Sequence, residues 1–145
     1  MHTRQWYVVN TKARNEERSA VNLAQGGIEV LAPKLRFRRW KEGKFTEIIE
    51  PMFPGYIFVR FHPVDEYRLV KYTRGIKTIV NFNGRMVPLQ DNLIEFIKGR
   101  LVEGVATVER KTYEKGEKII IQEGPFKGFS GIFEKELDGK ERIAI

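Results

Sequence analysis

Apolar residues along this chain fall into short runs separated by glycine, proline and asparagine turns, with two stretches at helical spacing. Gln5-Trp6-Tyr7-Val8-Val9-Asn10 is an aromatic and β-branched run that predicts a strand. Asn15 to Gln25 predicts a helix: Asn15 stands where a cap would, Glu16 and Glu17 occupy the first turn, and Gly26-Gly27 stops it. Ile28 to Leu31 predicts a short strand. Pro33 to Trp40 alternates Leu35 and Phe37 with Lys34, Arg36 and Arg38, predicting a half-buried strand with a basic face. Glu42-Gly43 predicts a turn, and Phe45 to Ile49 a returning partner strand.

The run Glu50-Pro51-Met52-Phe53-Pro54-Gly55-Tyr56-Ile57-Phe58-Val59-Arg60-Phe61 carries the most information. Its two prolines exclude helix and force an extended entry. Beyond Gly55 the residues are apolar on both faces of a strand, which is either buried on both sides or keeps one side for a partner. Val64 to Lys71 predicts a short helix ending before Arg74-Gly75. Ile76, Ile79, Val80 and Phe82 mark another strand, followed by the Asn83-Gly84 turn signal. Leu89, Leu93, Phe96 and Ile97 lie at helical spacing between Pro88 and Gly99. The order of elements predicts an α+β fold, one antiparallel sheet with flanking helices. Arg100 to Lys115 reads as a linker. Lys118 to Gln122, Phe129 to Glu136 and Arg142 to Ile145 then read as three strands with glycine turns.

The 145 residues allow one domain or two small ones. The net charge of +7 is uneven: residues 1–107 hold 18 Lys and Arg against 11 Asp and Glu, and the remainder holds 8 of each. A basic first module and a neutral second one suggest a polyanion as partner of the first and protein as partner of the second. There is no cysteine, which excludes disulfides, thiol catalysis and cysteine-ligated zinc and fits a cytoplasmic protein. No apolar run approaches a membrane span, and the start lacks the apolar core of a signal peptide.

Little supports an enzyme. His2 and His62 have no metal partner at helical spacing, and Ser19 and Ser130 belong to no nucleophile arrangement. Gly124-x-x-x-Gly128-x-x-Gly131 lacks the lysine and strand-to-helix context of a phosphate loop. No cofactor or metal is expected. Nucleic acid has more to hold. Lys12, Arg14 and Arg18 surround the start of the first helix, where free backbone N–H groups also attract phosphate. Lys34, Arg36, Arg38, Arg39 and Lys41 interleave with Phe37 and Trp40, a pattern single strands use, although the rings could equally serve a core. Tyr56 and Phe58 share a strand face that Phe82 could join; they either fill the core or form an apolar docking patch.

Three blocks in order, Trp6-Tyr7, Phe53-Pro54-Gly55-Tyr56-x-Phe58-Val59 and Gly116 to Gly131 with Gly124-Pro125-Phe126-Lys127-Gly128 at its centre, resemble the NusG family of transcription elongation factors. The resemblance implies an N-terminal NGN-type domain over 1–103, a linker over 104–112 and a KOW domain over 113–145. The last is an SH3-like barrel that reads as truncated or differently packed, with a helical alternative. Within the family the Glu50-Pro51 flank resembles the specialised RfaH-type paralogues. That resemblance implies a transcription elongation and antitermination factor without catalytic activity. Tyr56, Phe58, Phe82 and Phe53 would dock on the clamp helices of RNA polymerase. Lys12, Arg14, Arg18, Thr73 and Arg74 would contact the non-template DNA strand, and the KOW domain would recruit a ribosomal protein or termination factor. Glu50 would pair with Arg142 to hold the tail over the docking patch. Ala13 and Asn22 depart from the RfaH-type helix, so reading of one particular DNA element is not implied. Asp65 to Val70 replaces its contact to the polymerase gate loop. The alternatives are a housekeeping NusG and a generic single-strand-binding KOW protein.

Overall fold

The computed structural model describes residues 3–107. The expected KOW strands and Arg142 lie outside them. The described chain forms ten elements: β1 (Gln5–Thr11), α1 (Glu16–Gln25), β2 (Glu29–Leu31), β3 (Lys34–Lys41), β4 (Lys44–Pro51), β5 (Tyr56–Phe61), α2 (Tyr67–Lys71), β6 (Ile76–Ile79), α3 (Asp91–Gly99) and β7 (Val105–Thr107). The fold is α+β, as the periodicities predict. The strands form two sheets rather than one, in two compact units. One unit takes the chain up to Ala32 and from Pro54 to Ile94; the other takes Pro33–Phe53 and the described chain from Glu95 onward.

The first unit is built on a four-stranded sheet in the order β2-β5-β1-β6. β1 and β5 pair antiparallel from Gln5 opposite Phe61 to Asn10 opposite Tyr56. Alternation along both strands sends Tyr7, Val9, Ile57, Val59 and Phe61 to one face. There they cluster with Leu23 and Ile28, Val70 of α2, and Ile76 and Ile79 of β6. Tyr7 and Phe61 pack their rings with centroids 4.9 Å apart. The opposite face carries Trp6, Val8, Tyr56 and Phe58, and these are buried too. The strand apolar on both sides is thus buried on both sides.

Asn15 occupies the N-cap position of α1, but its side chain does not cap the helix. Its amide instead donates to the Ala13 carbonyl at 2.8 Å, a local bond that competes with capping. At the other end, Gly27 N–H donates to Ala24 O and Ile28 N–H to Leu23 O, both at 3.0 Å. This closing pattern brings Ile28 beside Leu23 in the core.

The second unit contains a three-stranded sheet, β4-β3-β7. β3 and β4 form a long hairpin closed by Glu42-Gly43, with φ of +52° and +81°. Two successive positive φ angles give the turn whose twist matches a two-residue hairpin. Val105–Thr107, within the stretch read as linker, pairs parallel with Lys34–Arg36 as β7. The charged, aperiodic sequence around it carries no strand signal; pairing with an existing edge orders it.

Candidate functional site

The segment Thr73-Arg74-Gly75 and the start of α1 are brought together within the first unit. Lys12 N–H donates to Gly75 O at 2.8 Å, and the Asn22 side-chain amide donates to Arg74 O at 3.1 Å. Gly75 has φ of +99°, and a Cβ there would sit 2.4 Å from Ser19 Oγ and 3.5 Å from Asn15 Cβ. Only glycine fits this approach of loop to helix. The Thr73 hydroxyl donates to Leu69 O, which ties the segment to the end of α2. The result is a fixed loop against a helix, with Lys12, Arg14, Arg18 and Arg74 exposed around it and Thr73 half-buried. Arg18 also donates to Asn15 Oδ1 at 3.4 Å. Five residues from two distant stretches therefore share one locality, able to offer positive charge to phosphates.

A second locality forms around Gly55, the residue before the aromatic strand. Asn10 Nδ2 and Thr11 N–H both donate to Gly55 O at 2.8 Å, and Gly55 N–H donates to Glu16 Oε2 at 2.7 Å. Glu16 is itself buried. Its carboxylate thus joins the start of α1 to the entry of β5, beyond the helix-end role its position in sequence suggests. The available signal is its spacing: Glu16, Ser19 and Leu23 lie on one buried stripe of the helix.

The aromatic residues expected to form an open patch are not open. Tyr56 is 9% exposed, Phe58 is fully buried and Phe53 is 1% exposed. A sheet apolar on both sides loses both faces from solvent. Phe82 is half-buried but does not lie on a strand beside β5. It stands past the end of β6 in a tight turn, exchanging backbone hydrogen bonds with Arg85, and β6 borders β1. Asn83-Gly84 turns the chain there before a full strand can form.

In the second unit, Trp40 and Phe45 face each other across the hairpin beside its turn. Phe37 is half-buried, with the Arg39 guanidinium 5.7 Å from its ring centroid. Glu50 is exposed on β4 opposite Leu35. His62 serves its own turn: Nδ1 accepts from the N–H groups of Val64 and Asp65. Glu66 accepts from the His62 N–H at 2.8 Å and from Arg4 through two bonds of 3.0 Å. The Arg4 hydrogen bond, aided by the His62 amide, holds the Glu66 carboxyl below its usual range. Among the described residues no group of His, Asp and Glu could hold a metal ion, and no helix is long and apolar enough to cross a membrane.

The NusG family model, described as "Transcription termination factor nusG", matches residues 4–98. The chain belongs to the NusG family. This is a family of transcription factors and not of enzymes. The chain is similar to the transcription termination/antitermination protein NusG of Rickettsia felis, 26% identical over 155 residues, covering 99% of this chain and 81% of that protein. It is similar also to the protein of that name from Vibrio parahaemolyticus, 29% identical over 157 residues and covering 98% and 85%. Among solved structures it is similar to Thermotoga maritima NusG, described under "Domain interaction in Thermotoga maritima NusG". The identity is 25%, the TM-score 0.46, and the coverage 86% of this chain and 76% of that one. In NusG-family terms, the matched segment holds both the Thr73-Arg74-Gly75 locality and the Gly55 turn.

Proposed function

We propose that this NusG-family protein is a transcription elongation and antitermination factor of the RfaH-like type that binds RNA polymerase and the non-template DNA strand. The observation that carries the DNA half is the docking of Thr73-Arg74-Gly75 on α1, which gathers Lys12, Arg14, Arg18 and Arg74. Polymerase docks on the face of the first sheet that carries Tyr56 and Phe58, with Phe53 and Phe82 contributing apolar surface. Because Tyr56 and Phe58 are buried, docking requires that face to be uncovered. A Glu50–Arg142 ion pair holding the tail would control that uncovering, and the tail, once free, recruits a ribosomal protein or termination factor. The mechanism is occupancy. A factor bound to polymerase and displaced strand together favours the elongating state over the paused one by its difference in affinity for the two.

The test is the salt dependence of binding to single-stranded DNA. Each phosphate contact removed by Lys12→Ala, Arg18→Ala or Arg74→Ala should flatten the log–log slope by roughly 0.7. An unchanged slope in all three removes this locality from DNA binding. Similarity to proteins named NusG favours a second reading, a general factor. Binding to elongation complexes regardless of non-template sequence marks the general factor; dependence on one sequence marks the specialised one.

A further inference from the structure

The β3–β4 hairpin carries a feature that the proposed polymerase and DNA contacts leave unused. Among the described residues β7 pairs with Lys34–Arg36, and from Phe37 onward β3 pairs with β4 alone. At its end, Trp40 and Phe45 lie directly opposite each other, with ring centroids 4.8 Å apart and planes at 74°. Such an edge-to-face pair supports a hairpin. Yet Trp40 remains 61% exposed and Phe45 52%, so most of both rings is left to solvent. Ile49 is also exposed, and by alternation shares their face of the ribbon.

Charge specifies what would cover these rings. Arg38 is exposed on the face of the ring pair, and Arg39, Lys41 and Lys44 are exposed on the other face of the same ribbon, the two lysines flanking its turn. Among the described residues none of these four forms an ion pair; Arg36 is the basic hairpin residue that meets Glu47, at 3.6 Å. An apolar protein surface laid on the rings would desolvate Arg38 beside them and offer nothing to the lysines at the turn. A single nucleic-acid strand satisfies both features, placing phosphates by the cations and a base on the ring. A closed duplex offers phosphates but keeps its bases stacked among themselves.

We infer that the Trp40–Phe45 tip is a stacking platform for single-stranded nucleic acid, a site separate from the Lys12/Arg18/Arg74 locality. Trp40 is the residue that stacks, Phe45 holds its ring on edge, Arg38 takes a phosphate on the ring face, and Lys41 and Lys44 hold the backbone where it rounds the turn. The site reads no base edge, so binding tolerates any sequence.

The chain has two tryptophans, and Trp6 is buried, so the quenchable emission belongs to Trp40. The full-length protein is titrated with oligo-dT, oligo-U and a blunt DNA duplex of equal length. Both single strands are expected to quench Trp40. Trp40→Leu, which keeps an apolar partner for Phe45, should lose the quench and weaken binding roughly ten-fold with an unchanged salt slope. Trp40→Phe should recover most of the affinity because it restores a ring. Variants at Lys12, Arg18 and Arg74 should retain the quench. Three results each overturn the inference: single strands that bind without altering Trp40 emission, equal affinity of the Leu and Phe variants, or quenching by duplex in preference to single strands.

Discussion

In the β2-β5-β1-β6 sheet, Ile57 and Phe58 are sequence neighbours that face opposite ways, and neither is exposed. In the β4-β3-β7 sheet, Trp40 and Phe45 are also aromatic strand residues, yet more than half of each is open. Composition does not separate the two regions. β5 and β1 are central strands, each paired along both edges. Among the described residues the outer half of β3 is paired to β4 alone. An aromatic residue is therefore structural or available according to how many neighbours its strand has.

The sharpest way to break this comparison is to truncate one residue of each kind. Phe61→Ala, in the core cluster against Tyr7, should cost about 3–5 kcal/mol of stability in urea denaturation. Trp40→Ala at the ribbon tip should cost about 1 kcal/mol or less. Similar losses would mean that the tip is as much a core as the central sheet.

Gly75→Ala probes the loop-to-helix contact of the first unit. A left-handed φ and a Cβ 2.4 Å from Ser19 Oγ should together cost about 1–3 kcal/mol. They should also displace Arg74 and weaken single-strand binding. Ser19 Oγ is buried without a hydrogen-bond partner, so Ser19→Gly in the same chain should recover part of both losses. No recovery in the double variant would assign the cost to backbone strain alone.

Glu16→Ala leaves the Gly55 N–H without its acceptor at a partly buried site. A loss of about 1–3 kcal/mol is expected. Glu17→Ala, exposed on the same helix, should change stability far less. Equal effects would reduce Glu16 to a helix-end charge.

The smallest effect lies at the Arg4–Glu66 pair, where Arg4 is largely exposed. The Glu66 carboxyl is held below its ordinary value, so the pair's contribution is complete above the usual carboxylate range. It disappears as pH falls through the lowered folded-state value. Glu66→Gln should flatten that acid limb of the stability profile while leaving the neutral-pH slope unchanged. An acid limb identical to wild type would place the titration elsewhere.

Much of this architecture follows from local pattern. The strand at Trp6 to Asn10, the helix ending at Gly26-Gly27, the hairpin turn at Glu42-Gly43 and the strand after Gly55 each depend on side-chain periodicity or on turn residues within a few positions. The ordered motifs Trp6-Tyr7 and Phe53-Pro54-Gly55-Tyr56 likewise carried family membership. What the local pattern left open was which apolar faces stay exposed and which distant groups meet. Glu16 reaches Gly55 across 39 positions, and Asn22 reaches Arg74 across 52. β7 became a strand by meeting the edge of β3, and Phe82 left its strand because Asn83-Gly84 turned the chain first. Tyr56 and Phe58 were equally compatible with core and patch until both faces of the sheet were seen to be buried. Periodicity records what each residue does relative to its neighbours in the chain; burial and cross-chain hydrogen bonds depend on neighbours in space, and only the tertiary structure supplies those.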